Sequence, residues 1–330
     1  MLRPIKIRYY VEMMEDRGYP PRAVLEGSGI DAKRLADPAY LVDLHQCTAV
    51  VSNMIRLTGD QAIGFEMGRK VKLADWGIIA HAMISSRTLR QAIGYWLTYA
   101  NLVGMLIRLT LIIEPRKEWT VVFAATEPMG FIYNFCVEEI LMAGTRLGSQ
   151  LVGGPLDVRE VRLSYPAPLH AAQYRRHFDC PIHFNAARSS ITVRAPSIDT
   201  VLPSNDAELN EVYRRHCSRV LREIGGENPL ESRLRNLFLV SKGAVPDLAA
   251  SARELGLSAR TLRRHLAAEG TSYQKLANQV RFDLATEYLR ADHLSPKEVG
   301  DLLGFRDTNA FRRAFKAWSG QTIQEFRSTV

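Results

Sequence analysis

Two short stretches near the end of the chain carry basic and amide side chains at matching places. The first reads ARTLRRHLAAEG over 259–270, and the second reads GFRDTNAFRRAFKAWSG over 304–320. The matched residues are Arg260, Arg263 and Arg264 in the first stretch and Asn309, Arg312 and Arg313 in the second. Arginine can donate two hydrogen bonds to guanine, and asparagine can pair in two ways with adenine. These side chains therefore favour contact with nucleic acid.

Both stretches belong to an internal repeat of about 49 residues. Each copy has a small residue, Ala252 or Gly300, then the pattern xxLG, then a helix start, and then two arginines. The glycine of each LG pair is expected to end a short helix in the left-handed conformation. Ser258 and Asp307 are expected to cap the helix that follows. This pattern predicts two helix-turn-helix units.

The second helix of each unit separates its apolar side chains from its charged ones. Leu262 and Leu266 are four residues apart, as are Phe311 and Phe315, so each pair is predicted to turn inward. The basic side chains then point outward from the beginning and middle of the helix, where a recognition helix meets base edges. The alternative is a helical bundle whose basic face meets only water.

The composition is that of an ordinary globular protein with a basic balance. The chain has 330 residues, a net charge of +8 and a pI of about 9.4, which favours polyanionic partners. Its length predicts two domains. Residues 229–330 hold 16 Lys and Arg against 11 Asp and Glu, and so carry most of the excess charge.

The first part of the chain mixes helix and strand patterns, whereas the last part is helical throughout. Helices are predicted over 5–17, 45–58, 88–103 and 131–152, and strands over 106–113 and 119–126 and within VREVRLSY, PIHF and SSITVRA. We therefore predict an α+β domain over 1–200 and a linker over 201–228 with a connecting helix at 209–224. An all-α domain with two helix-turn-helix units is predicted over 229–330.

The segment from Pro229 to the end resembles the DNA-binding domain of the AraC family of bacterial transcription regulators. GFRDTNAFRRAFKAWSGQTIQEFR is similar to that family's C-terminal signature, and LSARTLRRHLAAEG resembles its first recognition helix. The resemblance implies that a long central helix over 273–289 holds both recognition helices, which enter successive major grooves of DNA. Ile323 departs from the family, which usually has proline in the turn after Gly320, and we expect a looser turn.

The resemblance also implies which side chains contact DNA. Arg260, Arg263, Asn309 and Arg312 are expected at base edges, and Arg264, Arg313 and Lys316 near phosphates, with Arg313 able to serve either purpose. The predicted DNA-binding residues are Arg260, Thr261, Arg263, Arg264, Asn309, Arg312, Arg313 and Lys316.

Residues 64–103 resemble the arabinose-binding-like effector and dimerisation domain of one large subgroup of the same family. The predicted lining of an effector pocket is Trp76, His81, Tyr95, Tyr99 and Phe123, although aromatic residues at such spacings also serve as plain core. No metal site is predicted, because neither His45 nor His81 has a second ligand three or four residues away. For dimerisation, we hypothesise that the apolar face of helix 131–152 packs on its counterpart, the alternative being burial within its own domain.

These observations predict a cytoplasmic transcription regulator with no cofactor and no catalytic residue. Its expected partners are double-stranded promoter DNA, a small-molecule effector and a second copy of the chain, and RNA polymerase is a candidate. Neither a secretory signal nor a membrane-spanning stretch is predicted.

One alternative function is that of a DNA-repair or modifying enzyme fused to this DNA-binding domain. It would need a reactive cysteine or a metal cluster, but the four cysteines are scattered and the common catalytic motifs are absent. Another is a structural DNA binder with little sequence preference.

Overall fold

The computed structural model describes residues 2, 4–37, 40–99, 106–114, 118–125, 128–194, 197–223, 230, 234, 237–238, 245–289 and 294–329. The chain divides into two compact units. The first comprises Met1–Thr110 and Lys117–Glu227, and the second comprises Asn228–Val330 together with the short segment Leu111–Arg116.

The first unit begins with a series of helices. They are α1 (Ile5–Glu15), α2 (Pro21–Val24), α3 (Leu44–Thr58), α4 (Ile63–Lys70), α5 (Ile78–Ile84) and α6 (Leu89–Tyr99). α3 starts at a capping box formed by Asp43 and Gln46 and ends at Gly59 in the left-handed conformation. The helix predicted over 5–17 is confirmed to Glu15, and the one predicted over 45–58 is confirmed. The helix predicted over 88–103 is confirmed to Tyr99, and 100–103 lie outside the described residues.

A five-stranded sheet follows, interrupted by two helices. The strands are β1 (Ile107–Glu114), β2 (Glu118–Ala125), β3 (Val158–Arg162), β4 (Ile182–His183) and β5 (Ser189–Arg194), and the helices are α7 (Ile132–Val152) and α8 (Ala172–His177). The sheet order is β1-β2-β5-β3-β4. β5 pairs antiparallel with both β2 and β3, and β3 pairs parallel with β4. The predicted strands are present, although the one in PIHF is only two residues long. Residues 115–117, between β1 and β2, lie outside the described residues.

α7 runs through the core of the first unit. Phe135, Val137 and Leu141 on this helix are buried, and α4 packs directly against it. Two glycines on α4 permit this close approach. A Cβ at Gly64 would lie 2.7 Å from the carbonyl oxygen of Phe135, and one at Gly68 would overlap the backbone of α7. The hypothesis that this apolar face forms a dimer interface is therefore wrong, because the face is covered within its own domain.

Two adjacent glutamates on α7 are buried with it. One Glu138 carboxylate oxygen accepts hydrogen bonds from Tyr174 at 2.6 Å and lies 2.6 Å from Nε2 of His170. Burial raises the pKa of Glu138, and the hydrogen bonds from His170 and Tyr174 oppose that rise. Glu139 accepts a 2.8 Å hydrogen bond from Tyr10 and pairs with Lys6. These contacts join α1, α7 and α8 through polar groups that the sequence pattern did not single out.

The connecting helix α9 (Ala207–Glu223) belongs to the first unit and packs on α5. Its predicted range of 209–224 is confirmed to residue 223, and residue 224 lies outside the described part of the chain. Asn210, which is 6% exposed, fixes its N-terminal end. The Asn210 side chain bonds both to the carbonyl oxygen of Ala82 on α5 and to the hydroxyl of Tyr95 on α6.

Over the described residues from 230 onward, the second unit has only helices as regular secondary structure, as predicted. Its helices are α10 (Leu248–Glu254), α11 (Ala259–Ala268), α12 (Tyr273–Leu289), α13 (Pro296–Leu302), α14 (Thr308–Ser319) and α15 (Ile323–Thr329). The central helix α12 reaches both helix pairs. The hydroxyl of Tyr273 at its start lies 2.7 Å from that of Ser251 on α10, and the ring of Phe282 lies 5.9 Å from that of Phe315 on α14.

None of the helices that the structure describes is both long enough and apolar enough to cross a bilayer.

Candidate nucleic-acid interface and effector cavity

The two helix-turn-helix units have the same turn geometry. Gly256 and Gly304 both adopt the left-handed conformation, with φ of +68° and +78°. In each unit the residue after the glycine donates a backbone hydrogen bond to the small residue of the first helix. The distances are 2.8 Å from Leu257 to Ala252 and 3.0 Å from Phe305 to Gly300. This is the bond that closes a helix in the Schellman arrangement, as the repeat predicted.

The cap that starts each second helix is also repeated. The side chain of Ser258 accepts a hydrogen bond from the backbone nitrogen of Thr261 at 3.1 Å. Asp307 accepts one from Ala310 at 2.7 Å. A Cβ at Gly300 would lie 3.2 Å from that of Phe311, so the small residue lets α13 and α14 cross closely. Both predicted capping residues are confirmed.

The faces of α11 and α14 divide as their periodicity predicted. Leu262, Leu266, Phe311 and Phe315 are at most 1% exposed. Thr261 is half-buried, and the remaining predicted DNA-binding residues are exposed on the other side. None of those exposed cations forms an ion pair with a residue that the structure describes. Two uncompensated basic helix faces are therefore available to an anionic partner.

Three of the predicted residues meet in one surface groove of about 640 Å³ in the second unit. Arg312, Arg313 and Lys316 form its α14 side, and Gln324 and Arg327 of α15 face them. Asn309 and the residues of α11 lie outside this groove. The groove residues on α15 were missed by sequence reasoning, although their spacing of three along a helix was a usable signal. Arg327 is held by the carbonyl oxygen of Leu294, whereas Gln324 is exposed.

The turn between α14 and α15 is closed without the usual proline. Gly320 ends α14 in the left-handed conformation. Thr322 and Glu325 then bond reciprocally, with the Thr322 nitrogen donating to the Glu325 carboxylate at 2.7 Å and the Glu325 nitrogen donating to the Thr322 hydroxyl at 3.2 Å. Ile323 is buried at the helix start. The expected loosening is therefore not found, because a capping box fixes the turn.

The structure separates the five aromatic residues predicted for the effector pocket. Trp76 and Phe123 line a cavity of about 60 Å³. His81 is exposed and stacks on Tyr213 of α9, with ring centroids 5.2 Å apart. Tyr95 donates a 2.7 Å hydrogen bond to Asn210, and Tyr99 stacks on Tyr95. These last three therefore lie toward α9 and not on the cavity.

The cavity lies between one face of the sheet and the helices α6 and α7. β2 and β5 supply alternate residues that face it, including Val121 and its register partner Ile191. Its walls also include Trp96 and Trp119, which the sequence did not assign to a pocket. Trp96 follows Leu89 and Ile93 on the apolar stripe of α6, so periodicity marked a buried face and not a cavity wall.

The four cysteines are free thiols in unreactive surroundings. Burial raises the pKa of Cys47 and of Cys217 to about 12, and it also raises the pKa of Cys136 and of Cys180. The thiolate is the nucleophilic form, so these thiols are poor nucleophiles at neutral pH. Within the described parts of the chain, no group of three or more His, Cys, Asp and Glu side chains is arranged to hold a metal.

Comparisons with known proteins agree with both units. Residues 18–201, more than half of the chain, match the N-terminal arabinose-binding domain of AraC transcription regulators. Residues 251–329 match a helix-turn-helix domain family.

Relatives match nearly the whole chain. The Ornithine utilization regulator of Pseudomonas aeruginosa is 28% identical over 318 residues, covering 96% of this chain and 93% of its own. The transcriptional regulator VqsM from the same organism is 25% identical over 81% of this chain and 83% of its own. The crystal structure of the regulator CdpR from P. aeruginosa has the same fold, with a TM-score of 0.50 over 98% of both chains at 23% identity. The chain belongs to the AraC family of transcription regulators, in the group with an N-terminal arabinose-binding domain, and is a DNA-binding regulator controlled by a small-molecule effector.

Proposed function

We propose that this regulator reads promoter DNA through the exposed faces of α11 and α14. The observation that carries the proposal is the repeat of one basic face in two units with the same turn and cap. A single basic helix is common on protein surfaces. Here two helices repeat the arrangement, and each has arginines without ion pairs opposite a buried apolar pair. A polyanion that binds these arginines explains the repeat better than chance does.

Within each face we assign the side chains to two roles. Arg260, Arg263, Asn309 and Arg312 contact base edges, because they lie in the first and middle turns of their helices and their donors suit guanine and adenine. Thr261 lies beside them in the first turn of α11.

We assign the phosphate contacts to the other cations. Arg264, Arg313 and Lys316 supply charge at the helix flanks, with Arg313 able to reach either target. Gln324 joins them from α15, since it lines the same groove as Arg313 and Lys316.

We further propose that the effector binds in the first unit, at the cavity lined by Trp76 and Phe123. Support comes from its position between the sheet and the two helices α6 and α7. Support also comes from the match of this unit to an effector-binding domain of the family. Binding there can control DNA binding only if the effector prefers one arrangement of the chain to another.

A homodimer is proposed through a different surface from α7. Leu209 and Val212 are three residues apart on α9 and are 47% and 56% exposed, so they present neighbouring apolar side chains to solvent. A second copy of the same helix would cover them in a two-fold arrangement. Sedimentation of the full chain and of the double variant Leu209→Ser, Val212→Ser tests this. A variant that remains as dimeric as the parent chain contradicts the assignment.

We propose that the protein acts in the cytoplasm, where its promoters are, and that RNA polymerase is its partner when it activates. We propose no catalytic activity. The rival enzyme would require a reactive thiol or a bound metal, and the raised thiol pKa values argue against the first. Metal analysis of the purified chain tests the second, since one tightly held zinc per chain would favour the enzyme.

Genome-wide mapping of the DNA bound by the full chain tests the main proposal. A regulator gives a limited set of sites sharing a sequence, upstream of genes, which the purified chain then binds at least about a thousandfold more tightly than unrelated DNA. A structural DNA binder gives even coverage and little preference. Even coverage of the genome would overturn the proposal.

A further inference from the structure

We propose that the cavity between the sheet, α6 and α7 takes an uncharged effector with a mainly apolar body and one hydrogen-bond acceptor, which the indole N–H of Trp96 contacts. The inference rests on the proposed effector role of this cavity and adds the chemical class of the ligand. It is carried by the character of the walls, by one unpaired donor and by the size of the space.

The walls exclude a charged ligand. Apart from Thr145 and the three tryptophans, every described residue that lines the cavity has an aliphatic or aromatic hydrocarbon side chain or is a methionine or a glycine. The Thr145 hydroxyl donates a 2.7 Å hydrogen bond to the carbonyl oxygen of Leu141 on its own helix. No described residue of the lining carries a charge. An ion in such surroundings would lose its hydration without gaining a counter-charge, which is strongly unfavourable.

One wall residue has an unused polar group. Trp96 is 7% exposed, and its ring stacks on that of Trp76 with centroids 5.5 Å apart. Its indole nitrogen is buried and has no hydrogen-bond partner in the described structure. Among the described residues that line the cavity, it is the one buried side-chain donor without a hydrogen-bond partner. Buried donors are rarely left unpaired, and a ligand with a carbonyl or ether oxygen would pair this one.

The size of the space means that a ligand must displace a wall. The cavity measures about 60 Å³. A cavity of about 150 Å³ is known to accommodate benzene in a protein core. A metabolite-sized ligand therefore binds only when the walls move apart, and it stabilises that expanded arrangement over the compact one. Met83 of α5 and Trp96 of α6 are among these walls.

Three ring compounds of similar size serve as probes of the full chain. Cyclohexanone has an apolar body with one acceptor, benzene has no such acceptor, and cyclohexanecarboxylate is charged. Three of the four tryptophans of the chain line the cavity, so tryptophan fluorescence reports binding, and the shift of the thermal midpoint provides an independent measure. We expect cyclohexanone to bind about 2- to 10-fold more tightly than benzene, the gain of one net hydrogen bond. Cyclohexanecarboxylate is expected to bind at least about 100-fold more weakly than cyclohexanone.

Two variants separate the hydrogen bond from the shape of the cavity. Trp96→Phe should abolish the preference for cyclohexanone over benzene, whereas Trp76→Phe, which shortens a neighbouring ring on the same wall, should preserve it.

Gly144→Ala is a second test, of the space in the cavity. A Cβ there would meet only the Trp96 ring, at 3.8 Å, so the methyl group is accommodated and takes up space beside the cavity. It should raise the thermal midpoint and weaken both neutral probes.

DNA binding measured on the same preparations distinguishes the two levels of failure. If the full chain binds its mapped sites but neither neutral probe binds, the inference is overturned and the regulator remains. The same holds if the carboxylate binds as tightly as the ketone, or if Trp96→Phe and Trp76→Phe behave alike. If the chain shows no sequence-specific DNA binding, the proposed function itself fails, whatever the probes do.

Discussion

The side-chain amide of Asn210 on α9 donates a 2.8 Å hydrogen bond to the carbonyl oxygen of Ala82 on α5. Its amide oxygen accepts hydrogen bonds from Tyr95 at 2.7 Å and Gln91 at 3.0 Å, both on α6. One side chain thus ties α9 to the two helices that also supply Met83 and Trp96 to the cavity walls. We therefore expect a ligand that moves these walls to change the surroundings of Asn210 as well.

We expect this bond network to be energetically coupled. Asn210→Ala leaves the buried Tyr95 hydroxyl without a partner, so it should lower the free energy of unfolding by about 1 to 3 kcal/mol. The carbonyl oxygen of Ala82 keeps its 2.8 Å hydrogen bond from the Ser86 hydroxyl. In a double-mutant cycle with Tyr95→Phe, measured by denaturant unfolding, the interaction energy should be about 0.5 to 3 kcal/mol. Asn53→Ala is the matched control. Asn53 bonds the carbonyl oxygens of Val24 and Glu26, and its effect should simply add to that of Tyr95→Phe.

A substitution at Arg312 tests whether this side chain contacts base edges. Arg312→Ala should weaken binding at a mapped site by about 1 to 3 kcal/mol and relax the preference at one base position. Affinities for a site and its single-base variants, measured by fluorescence anisotropy, give both quantities. Arg175→Ala removes the same charge from an exposed position on α8 and should leave the base preference unchanged. An unchanged preference in Arg312→Ala as well would remove this residue from the base-reading set.

Lys316 tests phosphate contact. Lys316→Ala should weaken all sequences alike and reduce the slope of log affinity against log salt by about one, because one fewer counterion is released on binding. The measurement is a salt titration on specific and on unrelated DNA. A loss confined to the specific site would instead assign Lys316 to base recognition.

Phe315 separates stability from DNA contact. Its ring is buried and contacts Phe282, Phe311 and Phe326. Phe315→Ala should lower the free energy of unfolding by about 3 to 5 kcal/mol, through lost burial and the cavity left behind. Alanine substitutions of the exposed Arg312 and Lys316 should change the free energy of unfolding little. If Arg312→Ala and Lys316→Ala destabilise the chain as much as Phe315→Ala does, the basic face belongs to the fold and not to DNA.

The buried carboxyl group of Glu138 should make the stability of the chain depend on pH. Because burial raises its pKa in the folded chain, the folded state holds the proton more tightly than the unfolded state does. Its contribution to stability is therefore present below the ordinary glutamate pKa and is lost as the pH rises from there through the raised value. Glu138→Gln keeps an oxygen for Tyr174 and removes the ionisation. Thermal midpoints across this range should fall less with pH in the variant. An equal slope in both proteins would show that other groups control it.

The sequence was most informative where the determining residues are close together in the chain. The caps at Ser258 and Asp307, the glycine turns and the buried pairs of α11 and α14 all depend on neighbours within six residues, so local patterns predicted them. The effector unit was harder to predict. Asn210 and Ala82 are 128 residues apart, and Tyr10 and Glu139 are 129 apart. Such pairs have no periodic signal.

The cavity was only partly predicted for the same reason. Composition identified aromatic residues but not the face that each would present. Trp76 and Phe123 lie on the cavity, whereas Tyr95 and Tyr99, one helix turn apart, lie toward α9. That distinction arises from how α6 is rotated between the sheet and its neighbours, which no short stretch of sequence specifies.

The two helix-turn-helix units share a backbone but differ in chemistry. Arg260 and Asn309 occupy equivalent places two residues after their caps, and Leu262 and Leu266 are replaced by Phe311 and Phe315. A guanidinium only donates hydrogen bonds, whereas an amide both donates and accepts. If Arg260 and Asn309 contact bases as proposed, the half-site that one chain reads is asymmetric. Inverting that half-site in a promoter would then reverse the order in which the two helix-turn-helix units meet the gene, without changing affinity or distance.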